Sequence, residues 1–273
     1  MSHALLTWAS HLYVIAAVLY VAYLVRAQAR LALLALLLVA GGFLLQSILV
    51  VQRFVAHGYT PVTSLGDALS VLGWLLAAAF LVVERRYKAP VLGAFALPLV
   101  VGLVLPAAVL GNSSHPVPEA IKQAGMPVHV LIAFCGIAVL ALSTGVAIAY
   151  LLLERQMKGK RFGVFFARLP SLEALDGISD HLMKWGFVAL SVTLMTGAYY
   201  AKQAWGDYWR WDPKLTLSLV GWFVYAGLVH ARLFAGWRGR RAALLTILGF
   251  TILFGSFLGL KLFPIGVHTG DFQ

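Results

Sequence analysis

The stretch AWGDYWRWDPKLT, residues 204–216, sets three tryptophans, a tyrosine, two aspartates, an arginine and a lysine in thirteen positions between two long apolar runs. Two histidines share its side of a threaded chain: His129, just after GMPV, and His268, in the tail FPIGVHTGDFQ. Neutral imidazoles can take both axial positions of a haem iron, and flat aromatic faces can stack on a porphyrin edge. Arg210, Lys214 or Lys202 could then pair with propionates, arginine by a two-pronged fork. A blander account fits the same residues. A histidine at a helix end is commonly an interfacial polar group, and tryptophan and tyrosine gather in belts at membrane interfaces. Asp212-Pro213 also reads as a helix start, with Asp as cap and Pro in the first turn. On residue types alone, both readings stand.

The elements that must position these residues follow from composition. Hydrophobic residues make up 61% of the chain and charged ones only 11%, far from the profile of a soluble domain. Apolar stretches recur at about 4–25, 31–50, 66–84, 89–110, 128–153, 182–203, 214–236 and 243–263, each long enough to cross a hydrocarbon core of about 30 Å. The expectation is an all-α, polytopic integral membrane protein of about eight transmembrane helices. Residues 1–273 form a single membrane domain, with the aromatic loop at 204–214. Assigning the connections alternately to two sides puts fifteen of the 21 Lys and Arg on one side and six on the other. The positive-inside rule makes the richer side cytoplasmic, so both termini and the aromatic loop face out. The net charge of +11 is then directed at anionic lipid rather than nucleic acid. Cys135, the one cysteine, excludes an internal disulfide or C-x-x-C relay and reads as a small buried hydrophobe.

His230 lies sixteen residues after Lys214, about 24 Å along a helix and near the inner boundary. An ionisable group at that depth is a functional candidate, beside the plainer reading of a solvated interfacial residue. RFGVFFARL at 161–169 reads as a short amphipathic stretch on the cytoplasmic surface. A secondary transporter with an aromatic vestibule is a rival, but it calls for inverted repeats and broken helices that the apolar pattern lacks.

WGDYWRWDPK resembles the tryptophan-rich WWD signature of the haem-handling proteins of cytochrome c biogenesis, the CcsA/CcmC family, in its CcsA (ResC-like) branch. The likeness extends through LDGISDHLMKWGFVALSVTLMTGAYYAKQAW before the motif, WFVYAGLVHARLFAGWRGRRAALLTILGF after it, GVHTG in the tail, and GYTPVTSLGDALSVLGW near the third helix. The resemblance implies haem b bound on the outer face by Trp205, Tyr208, Trp209, Arg210, Trp211, Asp212 and Lys214. His129 and His268 would be its axial ligands, and His230 a ligand for haem in transit across the membrane. It also implies a CcsB (ResB-like) partner, apocytochrome c with its C-x-x-C-H motif as client, and a bacterial inner membrane or organellar equivalent. The chain departs from the family pattern at Leu215, where many members carry an acidic residue, and in the tail, HTGDF for the commoner HSYG. A HemX-like relative with another client shares the span pattern.

Overall fold

The computed structural model describes residues 2–58, 62, 64–110, 125–160 and 163–262. Nine α-helices and one 3-10 turn account for nearly all of them, with no strand among the described residues. The order is α1 Ser2–Arg26, α2 Ala29–His57, α3 Leu65–Tyr87, the 3-10 turn Pro90–Leu92, α4 Gly93–Leu110, α5 Met126–Lys158, α6 Val164–Arg168, α7 Leu172–Trp205, α8 Pro213–Phe234 and α9 Arg240–Leu262. Each of the eight apolar stretches is a helix. Seven of these helices are long and apolar enough to cross a membrane; α7 falls outside that group. It spans 34 residues, but Ser, Thr, Gly and Tyr dilute its apolar surface. It lies lengthwise on α5, the most extensive helix pairing among the described residues. The chain is a multi-pass helical membrane protein.

Two boundaries differ from the apolar pattern. The expected 28-residue connection from 154 to 181 is mostly helical: α5 continues to Lys158, and α7 begins ten residues before the apolar run. Ser171 caps α7 by accepting a hydrogen bond from the Ala174 N–H at 3.2 Å, so capping, not hydropathy, sets where this helix starts. The amphipathic stretch expected at 161–169 is α6, shorter than its pattern, with residues 161–162 outside the described set. Its Phe165 ring sits 6.2 Å from Phe95, and the Gln156 Oε1 accepts the Phe166 N–H at 2.9 Å. Cys135 is exposed on α5 rather than buried, because the face packed on α7 is carried by Gly136 and Leu140. There a side chain on Gly136 would press on Ala189, and one on Gly186 would strike Leu140. Small residues let the two backbones approach, the usual route to tight helix pairing in lipid.

Polar side chains tie the interior. Tyr13 donates to the Gln46 Oε1 at 3.1 Å, and the Gln46 amide donates to the Ser70 carbonyl at 2.9 Å, joining α1, α2 and α3. Ser143 of α5 donates to the Ser179 carbonyl of α7 at 2.9 Å. The helices α1, α3, α5 and α8 all finish at one end of the bundle, each with Arg or Lys in its last turn, where the cations complement the carbonyl-rich termini. At that basic end Arg232 forks onto Asp176, with N–O distances of 3.0 and 3.2 Å. Asp176 also accepts the Gly239 N–H at 3.0 Å, so one carboxylate holds the ends of α7, α8 and α9 together. At the opposite end Arg53 and Asp67 pair at 2.6 Å, their side chains only 10% and 9% exposed.

Candidate haem-facing site

The end of the bundle away from the basic cluster gathers the starts of α5 and α8 and the finishes of α7 and α9. His129 sits in the first turn of α5. Gly125, at φ 86°, turns the chain into that helix, and Pro127 occupies the first turn, where a missing N–H costs nothing. The His129 ring is half-buried against α7. Its Nδ1 is 2.7 Å from the Thr196 hydroxyl, its edge meets Tyr200 with centroids 5.5 Å apart at 67°, and Gly197 lies alongside it. With Nδ1 engaged, Nε2 is the nitrogen left to face a ligand.

The aromatic loop reaches the same place. The Lys202 ammonium lies 5.3 Å from the Tyr208 ring centroid and donates to the Gly206 carbonyl, folding the chain back where α7 ends. Trp209 and Trp211 meet edge to face, centroids 5.9 Å apart at 84°. Trp209 is half-buried, whereas Trp211 is 84% exposed and offers a free indole face. Asp212 is 2% exposed and caps α8 by accepting the Lys214 N–H at 2.9 Å. The capping account of Asp212 read from the sequence is therefore correct, and Asp212 acts by fixing the loop to the helix. Lys214, in the first turn of α8, lies within electrostatic reach of His129, so the start of α8 and the imidazole stand at the same end of the bundle. Arg210 is half-buried between the two tryptophans in sequence, and its carbonyl accepts the Asp212 N–H at 2.8 Å. Trp205 closes α7.

His268 lies outside the described residues. Its helix is informative all the same. Phe257 of α9 packs edge to face on Phe134 of α5, centroids 5.5 Å apart at 87°. Phe134 is five residues past His129 and Phe257 five before the end of α9 at Leu262, about 7.5 Å of helix in each case. The last turn of α9 thus rises beside the first turn of α5. His230 is not brought to this group. It lies in the last turn of α8, exposed, with its ring 4.6 Å from Phe234.

The donor set fits haem rather than a bare metal ion. A porphyrin brings four nitrogens of its own and asks the protein for one or two axial ligands and an apolar, aromatic rim. His129 with an available Nε2, Trp211 with an open face and cationic Lys214 are groups of those kinds.

Sequence reasoning missed Thr196, Tyr200 and Gly125. Thr196 and Tyr200 are four residues apart and so share a helix face, but nothing along the chain says that this face meets His129. Gly125 has a checkable role. A Cβ there would lie 2.5 Å from the Tyr200 hydroxyl and would need the left-handed backbone region. The Gly125→Ala chain is expected to be about 1–3 kcal/mol less stable, read as an earlier unfolding transition in detergent.

An all-α, multi-pass membrane protein with an imidazole and a tryptophan-rich loop at one end of its bundle defines a class. The chain belongs to the cytochrome c assembly protein family, whose profile matches residues 62–268. It is 31% identical over 272 residues to the cytochrome c biogenesis protein CcsA of Parasynechococcus marenigrum (strain WH8102), covering 90% of this chain and 88% of that one. It is 32% identical over 260 residues to CcsA of Synechococcus sp. (strain CC9902), covering 85% of each. Among solved structures it resembles the cytochrome c haem lyase CcmF, with a TM-score of 0.65 at 16% identity. That likeness spans all of this chain but 50% of CcmF, so this chain corresponds in fold to about half of the larger protein.

Proposed function

We propose that this protein binds haem at the motif end of its bundle and presents it for attachment to apocytochrome c, acting as a CcsA-type subunit of system II cytochrome c biogenesis. The observation that carries the reading is the convergence of His129, the WGDYWRWDPK loop and the end of α9 on one small region. His268 would be the second histidine to hold the haem. It follows the end of α9 by six residues, a reach of up to about 20 Å, and α9 ends beside His129.

Haem b, when bound, supplies the iron and the vinyl groups that accept the client's thiols. The chain's own residues bind, orient and shield. His129 and His268 would hold the haem and keep other small ligands from it. Trp205, Trp209 and Trp211 would wall the haem, Tyr208 would extend the aromatic surface, and Lys214 and Arg210 would pair with its carboxylates. Asp212 keeps the loop anchored to α8. The contribution of the protein is position and water exclusion, while the carbon–sulfur chemistry belongs to haem and the client thiols. His230, at the exposed edge of α8, would hold haem in transit together with a CcsB/ResB-like partner. The client is an apocytochrome c carrying C-x-x-C-H, and the setting is the bacterial inner membrane with the motif end outside.

The chain purified from haem-replete membranes is expected to give a pyridine haemochrome of b type and a low-spin absorption spectrum. A colourless preparation, isolated both alone and with its partner, would overturn the reading.

A further inference from the structure

We infer that Thr196 is a positioning residue for the haem-binding imidazole: its hydroxyl oxygen accepts the Nδ1–H of His129, which fixes the ring's tautomer and turns Nε2 toward the iron. The inference rests on the haem-site reading above and adds to it a residue of α7 outside the tryptophan-rich loop.

The Thr196 hydroxyl carries one hydrogen. Its oxygen is 2.7 Å from the Val192 carbonyl and 3.2 Å from the Thr193 carbonyl. Carbonyl oxygens only accept, and a helical threonine normally donates back to the carbonyl four residues earlier. With its hydrogen so committed, the oxygen can only accept at its third short contact, the 2.7 Å approach to His129 Nδ1. The hydrogen in that contact must therefore come from the imidazole. A neutral ring carrying its hydrogen on Nδ1 has its lone pair on Nε2, the nitrogen left to face a ligand. The ring is also held against rotation, with Tyr200 against its edge.

Such an outer hydrogen bond orients a ligating histidine and raises its basicity, and its loss commonly costs ten- to a hundredfold in affinity. A more basic imidazole favours ferric over ferrous iron, so the hydrogen bond lowers the potential of the bound haem. Thr196 is thus placed to set both how firmly haem is held and how readily it is oxidised before transfer.

The test compares full-length wild type, Thr196→Val, Thr196→Ser and His129→Ala, each purified from haem-replete membranes. Haem per chain, the low-spin spectrum and the midpoint potential are measured. Valine keeps the shape of threonine and removes only the hydroxyl. Thr196→Val is expected to retain about tenfold less haem than wild type and to show a more positive potential in what remains. Thr196→Ser is expected to match wild type in both. If valine does not accumulate, Thr196→Ala makes the same comparison. Wild-type haem content and potential in the hydroxyl-free variant would overturn the inference. So would reduced haem at an unchanged potential, which marks a packing effect, or a serine variant as impaired as valine. His129→Ala separates the two layers. If it keeps the low-spin spectrum, the ligand assignment itself fails; if it loses the spectrum while Thr196→Val matches wild type, only the role of Thr196 falls.

Discussion

His129→Ala is expected to abolish the low-spin absorption of the purified chain and to stop maturation of a client cytochrome c in cells. His129 sits in the first turn of α5, half-buried, and among the described residues its side-chain hydrogen bond and ring contact are with the last turns of α7. Its removal should therefore leave the helices in place while taking away one iron ligand. The space it vacates, between Thr196, Gly197 and Tyr200, has the size of an imidazole ring. Added imidazole is accordingly expected to restore part of the low-spin spectrum. Rescue by imidazole would distinguish a lost ligand from a damaged fold. A variant that retains the wild-type spectrum without imidazole would show that the iron is held by other groups.

The largest effect on stability is expected at Arg53 and Asp67, which nothing in the tryptophan-rich motif announces. Their 2.6 Å pair joins the end of α2 to the start of α3, where the Ser64 hydroxyl accepts the Asp67 N–H at 3.1 Å. Both side chains are nearly inaccessible. Replacing Asp67 by leucine removes the carboxylate from beside a poorly hydrated guanidinium, and breaking such a buried pair costs about 3–5 kcal/mol. The double replacement Arg53→Met with Asp67→Leu removes both charges and should recover much of that loss. Chemical unfolding in detergent would measure this. Equal destabilisation by the single and double replacements would mean that the charges are not what holds these helix ends.

The aromatic loop, His129 and His268 could be singled out along the chain because their residue types are rare in apolar surroundings and their chemistry converges on one ligand. The helices were legible for a related reason. Backbone polar groups must be satisfied internally in lipid, so a run of about twenty apolar residues has few alternatives to a helix. Helix ends were less legible. The start of α7 at Leu172 depends on a serine cap and a polar turn outside the apolar run. The misjudged burial of Cys135 has a similar origin, since hydropathy marks a residue as apolar without saying whether protein or lipid covers it.

Composition, apolar run length and the distribution of basic residues determined that this chain is a helical membrane protein, and the WGDYWRWDPK loop with its histidines determined the chemistry to look for. Which helices stand together is not encoded in any local pattern, because in lipid the apolar faces are nearly equivalent and pairing is chosen by shape and a few polar contacts. Only the tertiary structure brought Thr196 and Tyr200 against His129, put Lys214 within electrostatic reach of it, and raised the end of α9 next to the first turn of α5. These contacts join residues distant in sequence through the close approach of α5 and α7, which glycines at 136 and 186 permit.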